Sequence, residues 1–511
     1  MDWTAGYVTE IDYVHGYNRE LCPGLLRLAC LSAGVAPPAG RPLRYLELGY
    51  GLGLSLNIHA AAILGEFWGT DFNPSHVAHA RALADASGSG AKLLDDTFAE
   101  IAARPDLPEF DIIALHGIWS WISDENNRVV INLIGRKLRV GGIVYISYNC
   151  LPGWAPTLPL RHLMKLHADL AAEVPGMVAK LDGALAFAQQ VIDSGALYFR
   201  SNPAVGERLK EIAGQNRNYL AHEYLGEHWR VTTFSDVAKC LDDAKLSFVA
   251  SAHLLDHVEE VNLPAESNKL LAGIKHPILR QSVRDYFVNQ QFRRDVFIKG
   301  PRRLSGLEQH DIMRSQAFAL TTHADDVPMK VRGAVGEANL QEQVYRPLIE
   351  VLAENDYAPK KVEELAAHAN LKAMPIAQVM QAIFILAGAG HVHPAQETAS
   401  ASRTYCCALN RYLCERARSV GDIQILASPV IGGAVSVPRL HQVFIRALQL
   451  GKTSEAEQAA FAWELLSAQG QRVSKDSKAL ESPEENIAEL TISAREFAIK
   501  RLPVLRALGV V

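Results

Sequence analysis

Cysteine is scarce in this chain: seven in 511 residues, an odd number, with no C-x-x-C pair. Cys406 and Cys407 are adjacent, and Cys22, Cys30, Cys150, Cys240 and Cys414 are scattered. That pattern excludes a disulfide framework and a cysteine-ligated zinc centre, and no metal site is expected. Long apolar runs are missing as well. Although 49% of the residues are hydrophobic, no uninterrupted stretch approaches the roughly 20 residues that a membrane-crossing helix needs. Met1-Asp2-Trp3-Thr4 has neither the basic region nor the apolar stretch of a secretion signal, so a cytoplasmic location is expected. Charge of one sign is lacking too. The 51 basic and 56 acidic residues leave a net charge of -5, which argues against a chain-wide nucleic-acid surface. A chain of this length is expected to form two or more domains, each with its own core.

What is present is concentrated early. Tyr45-Leu46-Glu47-Leu48-Gly49-Tyr50-Gly51-Leu52-Gly53 reads as a buried strand running into a glycine turn and a helix. Phe67-Trp68-Gly69-Thr70-Asp71 follows as a second strand ending in an acid, 20 residues after Gly51. This is the first half of a doubly wound sheet, with an acid where a ribose hydroxyl pair would be held. A dinucleotide turn requires a third glycine at Leu54 or Leu56, and neither is glycine. Glu47 stands instead at the approach to the turn. A carboxylate there repels a pyrophosphate but suits a ligand carrying an ammonium and a sulfonium. The arrangement resembles motif I of the class I S-adenosylmethionine-dependent methyltransferases.

The sheet can be followed onward. Phe110–His116 reads as the fourth strand and Gly141–Ser147 as the fifth, with a helix opened by Ser123-Asp124-Glu125 between them. From Leu160 to about Val191 the pattern is helical and alanine-rich, as expected of an insertion over the strand ends. Ser247–Ala252 and Arg294–Lys299 offer two closing strands. A further unit is expected from Leu340, where three helical patterns precede Gly388–Pro394, a turn into a short wing. That order resembles a winged helix. The expected fold is therefore α/β, a doubly wound Rossmann-like sheet with a helical insertion and a mainly α, winged-helix-like C-terminal domain. The expected divisions are a core at 1–155, an insertion at 156–230, a region completing the sheet at 231–303 and the C-terminal domain at 340–511.

Methyl transfer from a sulfonium is an in-line displacement, so the protein has mainly to position donor and acceptor. The expected cofactor-binding set is Glu47, Gly49, Tyr50, Gly51 and Gly53 at the methionine end and Asp71 at the ribose. Phe72, Asn73 and Asp95 or Asp96 are expected near the adenine, and Asp96 reads equally as a helix N-cap. His116 ends the fourth strand, where cofactor and acceptor meet, and would suit an oxygen acceptor as a general base. Tyr148 and Asn149, at the end of the fifth strand, can orient an acceptor or cap the Pro152-Gly153 turn. Trp119 and Trp154, with Tyr13 and Tyr17 near the N-terminus, are candidate acceptor-binding residues. The basic run Arg293, Arg294, Lys299, Arg302 and Arg303 reads as a solvated face. The Asn-Pro-Pro-aromatic motif of DNA amino-methyltransferases is absent after the fourth strand.

These motifs together carry a closer resemblance. Glu47-Leu48-Gly49-x-Gly51, His116-Gly117 with Trp119-Ser120-Trp121, and Ser147-Tyr148-Asn149 with Leu151-Pro152-Gly153-Trp154 are similar to a bacterial group of class I methyltransferases with a methyltransferase regulatory domain. His222-Glu223-Tyr224-Leu225, Trp229 and Phe292-Arg293-Arg294 resemble the signatures of that regulatory region. The resemblance extends to the rickettsial protein-lysine methyltransferases and implies S-adenosylmethionine as cofactor. Tyr50, where cysteine is usual, departs from the group. Three readings stay open: methylation of protein lysines, methylation of a small molecule or surface polysaccharide with His116 as base, and a cofactor-binding regulator. DNA contact by the last is disfavoured, because Pro375–Ile383 carries no Lys or Arg. The partners expected are thus a protein, polysaccharide or small-molecule acceptor and a second copy of the chain, with no nucleic acid and no membrane span.

Overall fold

The computed structural model describes residues 15–38, 42–171, 176–397, 399–476 and 478–511. Tyr13 lies outside these residues. Seven strands form one sheet: β1 (Leu43–Leu48), β2 (Gly65–Thr70), β3 (Lys92–Leu94), β4 (Phe110–Leu115), β5 (Leu138–Asn149), β6 (Leu246–Ser251) and β7 (Phe292–Lys299). Their spatial order is β3-β2-β1-β4-β5-β7-β6, with β7 antiparallel to both of its neighbours and β1 to β5 parallel. This is the sheet of the class I methyltransferase fold. Its carboxyl edge is set by the registers Leu48 opposite Thr70, Leu115 opposite Ile146 and Ser147 opposite Arg294.

Local chemistry explains the helices that flank it. α1 (Pro23–Ser32) begins with proline at its first position, and α2 (Leu54–Ala62) follows Gly53, which holds φ +72°. α3 (Pro74–Ser87) is capped by the Asn73 side chain and stopped by Gly88 at φ +67°. The helix Asp124–Lys137 is capped by Ser123, with acids in its first turn and bases in its last. Side-chain alternation along the strands divides the sheet into two faces. Tyr45, Ala114, Tyr145 and Val296 pack under α1 and α2 on one face, and Leu46, Ile113, Val144 and Phe297 lie in the core of the other.

The insertion is a helical unit with its own core, formed by Leu160, Met164, Leu181, Leu209 and Leu220 among others. Beyond the sheet, strand Ala317–Leu320 pairs antiparallel with Lys360–Lys361 and Val392–Ala395, and helices Glu342–Tyr357, Val362–Ala367 and Ile376–Ala389 intervene. The start near Leu340 read from the sequence thus falls inside this unit. One apolar core runs from Leu25 and Ile58 of α1 and α2 through to Val510. No helix among the described residues is long and apolar enough to cross a membrane.

One buried ionic network locks the sheet's antiparallel end. Arg293 donates from Nε to Asp295 (2.9 Å), binds Asp285 through Nη1, and lies over the Phe234 ring. Tyr148 donates its hydroxyl to the same Asp295 carboxylate at 2.6 Å. Burial alone would lower the Arg293 pKa, but the two carboxylates and Tyr148 hold it well above its ordinary value. The first part of the basic run is therefore no solvated face: Arg293 is buried, Arg294 is ion-paired to Glu20, and Lys299 donates to the carbonyls of Gly135 and Leu138, whereas Arg302 and Arg303 are exposed as expected. Removing one partner of a buried pair leaves the others uncompensated. Arg293→Ala is expected to cost about 3–5 kcal/mol and lower the thermal unfolding midpoint; an unchanged midpoint would show that the network contributes nothing.

Candidate active site

The glycine turn is built to bring a ligand close to backbone. Gly49, Gly51 and Gly53 hold φ of +70°, +58° and +72°, a region that side chains other than glycine rarely adopt. A Cβ on Gly49 would lie 2.2 Å from Ile118, and one on Gly53 would lie 2.5 Å from Ala80 of α3. The turn is held by Gly49 N–H to Thr70 O (2.8 Å) and by Gly51 N–H to Asp71 Oδ2 (2.9 Å). Asp71 Oδ1 accepts from Asn73 N–H (3.0 Å) and meets His76 Nδ1 at 3.1 Å. Three of roughly four carboxylate acceptor positions are thus taken, which leaves room for one ribose hydroxyl without rearrangement. Above Gly117, at the end of β4, a Cβ would meet nothing within 4 Å, so the crevice is open there.

Glu47 stands near the end of β1, just before the glycine turn. It is buried, and its only hydrogen bond among the described residues is from the Tyr45 hydroxyl (3.1 Å). Burial raises its pKa to about 8, against the pull of Tyr45. A buried carboxyl with so few partners fits a cationic ligand group, which would draw off its proton. Glu47 and the turn would hold the methionine end and Asp71 the ribose.

The residues expected to meet the acceptor at the ends of β4 and β5 include several on the same face of the sheet. His116, Ser147, Asn149 and Arg294 align there with Glu47. His116 Nδ1 is 2.8 Å from the Tyr145 hydroxyl and 3.4 Å from Ser147 Oγ, which accepts Gly117 N–H at 2.8 Å. The His116 ring stacks on Tyr145 and meets Phe292 edge-on at 6.0 Å. Burial drives its pKa down to about 4. The Asn149 backbone is tied to Ser120 and Thr232, while its carboxamide takes no partner among the described residues. Glu20, which the sequence reading passed over, stands behind this group. Its Oε1 accepts from Arg294 Nη1 (2.7 Å) and His253 Nδ1 (3.3 Å). Burial opposes its ionisation, but those two partners bring its pKa down to about 2.

Other expected residues stand elsewhere. Tyr148 projects to the opposite face, into the Arg293 network, because odd and even positions of β5 alternate. Trp119 is buried in that same face's core. Trp154 packs edge-on against Trp229 (5.1 Å), which also stacks under Arg161 and joins the insertion to β5. Tyr17 reaches the C-terminal region, accepting from Ala434 N–H at 3.1 Å. Tyr50 donates to Leu94 O (3.1 Å). Asn73 is occupied as the α3 cap, and Phe72 is half-buried beside it. Asp95 is exposed near Arg81, and Asp96 accepts from Arg104. The helix cap expected of Asp96 is made by Thr97, in a capping box with Glu100.

Two outcomes follow from this geometry. Asp71→Ala removes the acceptor of Gly51 N–H as well as the expected ribose contact, so S-adenosylmethionine affinity should fall by about 100-fold or more; undiminished affinity in calorimetry would refute the assignment. Glu47 carries the second. Its pKa is higher folded than unfolded, so the ligand-free protein loses stability as pH rises from 4.5 to about 8. Binding a cation reverses that preference. Affinity for S-adenosylmethionine should therefore rise up to about tenfold per pH unit below 8, with proton release, and level off above. Titrations in buffers of different ionisation enthalpy read this directly, and a pH-independent affinity without proton release would contradict it.

Residues 216–299 match the family described as "Predicted methyltransferase regulatory domain". The Synechocystis protein sll1526, uncharacterized, is 39% identical over 515 residues, covering all of both chains. The Rickettsia prowazekii protein RP028, also uncharacterized, is 25% identical over 227 residues, 43% of this chain and 86% of its own. Among solved structures, PKMT2 from Rickettsia typhi in complex with AdoHcy superposes with a TM-score of 0.71 at 16% identity, over 97% of this chain and all of that one. The chain belongs to the family of sll1526, carries the predicted methyltransferase regulatory domain and has the class I methyltransferase fold.

Proposed function

We propose that the chain transfers a methyl group from S-adenosylmethionine to an amine, the side chain of a lysine in a protein substrate. The observation that carries this reading is the state of His116. A hydroxyl acceptor needs a general base whose pKa lies near the working pH. His116, held down to about 4, is a weak base at neutral pH. An amine acceptor needs no strong base at the crevice, since it has only to arrive with its lone pair free. S-adenosylmethionine supplies, when bound, a methyl group activated by a sulfonium. Everything else asked of the chain is placement. His116 stays neutral and can hydrogen-bond the incoming nitrogen through Nε2, with Nδ1 directed at Tyr145. Asn149 has a free carboxamide on the same face for the same purpose. The fold likeness to a protein named PKMT2 supports a protein acceptor.

A small-molecule or polysaccharide acceptor methylated on oxygen would make His116 essential. His116→Gln, which keeps a hydrogen-bonding group, separates the two. On an amine acceptor, turnover should stay within about tenfold of the original, whereas loss of a general base costs about 100- to 10,000-fold. The substrate for that assay comes from labelling a bacterial lysate with methyl-labelled S-adenosylmethionine. Protease-sensitive label with a mild His116→Gln effect is expected. Protease-resistant label with a severe effect would overturn the lysine reading.

A further inference from the structure

The helix Pro277–Phe287 is amphipathic in the wrong sense for a surface helix. Arg284 and Asp285 face inward, Arg284 reaching Asp256 O (3.1 Å) and Asp285 binding Arg293. Outward it shows Leu279 and Tyr286, 53% and 74% exposed, with Val283 between them at helical spacing and Phe287 beside them. Leu270 of the adjoining helix Ala265–Gly273 is 56% exposed. Buried charges and exposed large apolar side chains on one helix are the informative inversion of the usual rule.

The helix leads into a cavity. Val288, its C-cap, lines a space of about 510 Å³ whose walls include Gln290, Phe292, Arg294 and Arg332. Phe292 is the ring that touches His116, so the inner end of this cavity adjoins the acceptor side of the crevice. Its outer wall is the tight turn after Gly333, which packs so closely on Val261 that a Cβ would lie 1.9 Å from the Val261 carbonyl oxygen. Ala334 N–H is held there by Asn262 Oδ1 at 3.1 Å. The turn is thus fixed, and it presents Arg332 at the mouth. Arg332, Lys269 and Lys275 are exposed, and none has a carboxylate partner among the described residues.

We propose that this cavity and the Leu279–Tyr286 stripe beside it form the docking site for the acceptor polypeptide, and that the site selects a lysine flanked by acidic and apolar residues. The inference rests on the lysine reading above and deepens it. Two features identify the occupant. The stripe adjoins a cavity whose Phe292 wall meets His116, and the exposed cations Arg332, Lys269 and Lys275, which have no carboxylate partner among the described residues, call for carboxylates. A small molecule would fill the cavity but leave the stripe bare. An apolar, acidic segment covers both, with its lysine directed past Phe292.

The test uses the full-length protein and synthetic peptides of about fifteen residues, each with one central lysine and flanks of Leu with Asp, Leu with Arg, or Ser alone. Methyl transfer should favour the Leu–Asp peptide over the Leu–Arg peptide by about tenfold in kcat/KM. Arg332→Glu should erase or invert that ratio. The double variant Leu279→Ser, Tyr286→Ser should shrink the advantage of Leu-containing over Ser-only flanks. Calorimetric binding of S-adenosylmethionine checks that each variant is folded. Equal rates on all three peptides, or ratios that neither variant moves, would overturn the docking site and leave lysine methylation standing. No methyl in any peptide, with the cofactor still bound, would overturn the lysine reading and this site with it.

Discussion

The ligand-binding end of this molecule depends on how one carboxylate distributes its lone pairs. Asp71 ties the glycine turn to the end of β2 through Gly51 N–H, orders its own loop through Asn73 N–H and meets α3 through His76. A turn of left-handed glycines costs conformational entropy to order. Here that ordering is secured by side-chain acceptance before any ligand arrives. The acid is thus part of the scaffold, and a ribose hydroxyl would share a group that already orders the turn.

From that turn the sheet separates two kinds of chemistry. On one face stand Glu47, His116, Ser147 and Asn149, where burial keeps Glu47 and His116 uncharged at neutral pH. On the other, Arg293, Asp285, Asp295 and Tyr148 are hydrogen-bonded to one another and buried. The contrast is physical. Isolated buried groups shed their charge, whereas paired ones keep it. β5 and β7 supply both faces at once, since neighbouring residues along a strand point opposite ways.

That alternation also explains what could be read beforehand and what could not. The sheet, the glycine turn and the strand-end positions of Glu47 and Asp71 were legible because each is marked locally, by glycine spacing or by an acid at a strand end. His116 was legible as a strand-end residue, but not its depressed pKa, which comes from packing against Tyr145 and Phe292. Tyr148 and Asn149 are adjacent in sequence and looked equivalent; only the register of β5 sends one away from the crevice. Glu20 carried no local mark at all. Its role comes from Arg294 and His253, more than two hundred residues distant. The arginine pair misled for the same reason, because a basic run looks solvated until its carboxylates are located.

The short segment from Tyr17 to Glu20 ties distant parts of the chain together. Tyr17 meets Ala434, Arg19 donates to the carbonyls of Ala387 and Gly388, and Glu20 grips Arg294 of β7. A few consecutive residues near the start of the chain thus stitch its far half to the sheet. The polypeptide cannot be finished in instalments. Until the ribosome has delivered residues beyond 430, this segment lacks part of what it binds, and α1 and α2 lack the apolar surface that later covers them. The crevice is therefore assembled late in synthesis, and a chain cut short would expose a broad apolar face in place of an active site.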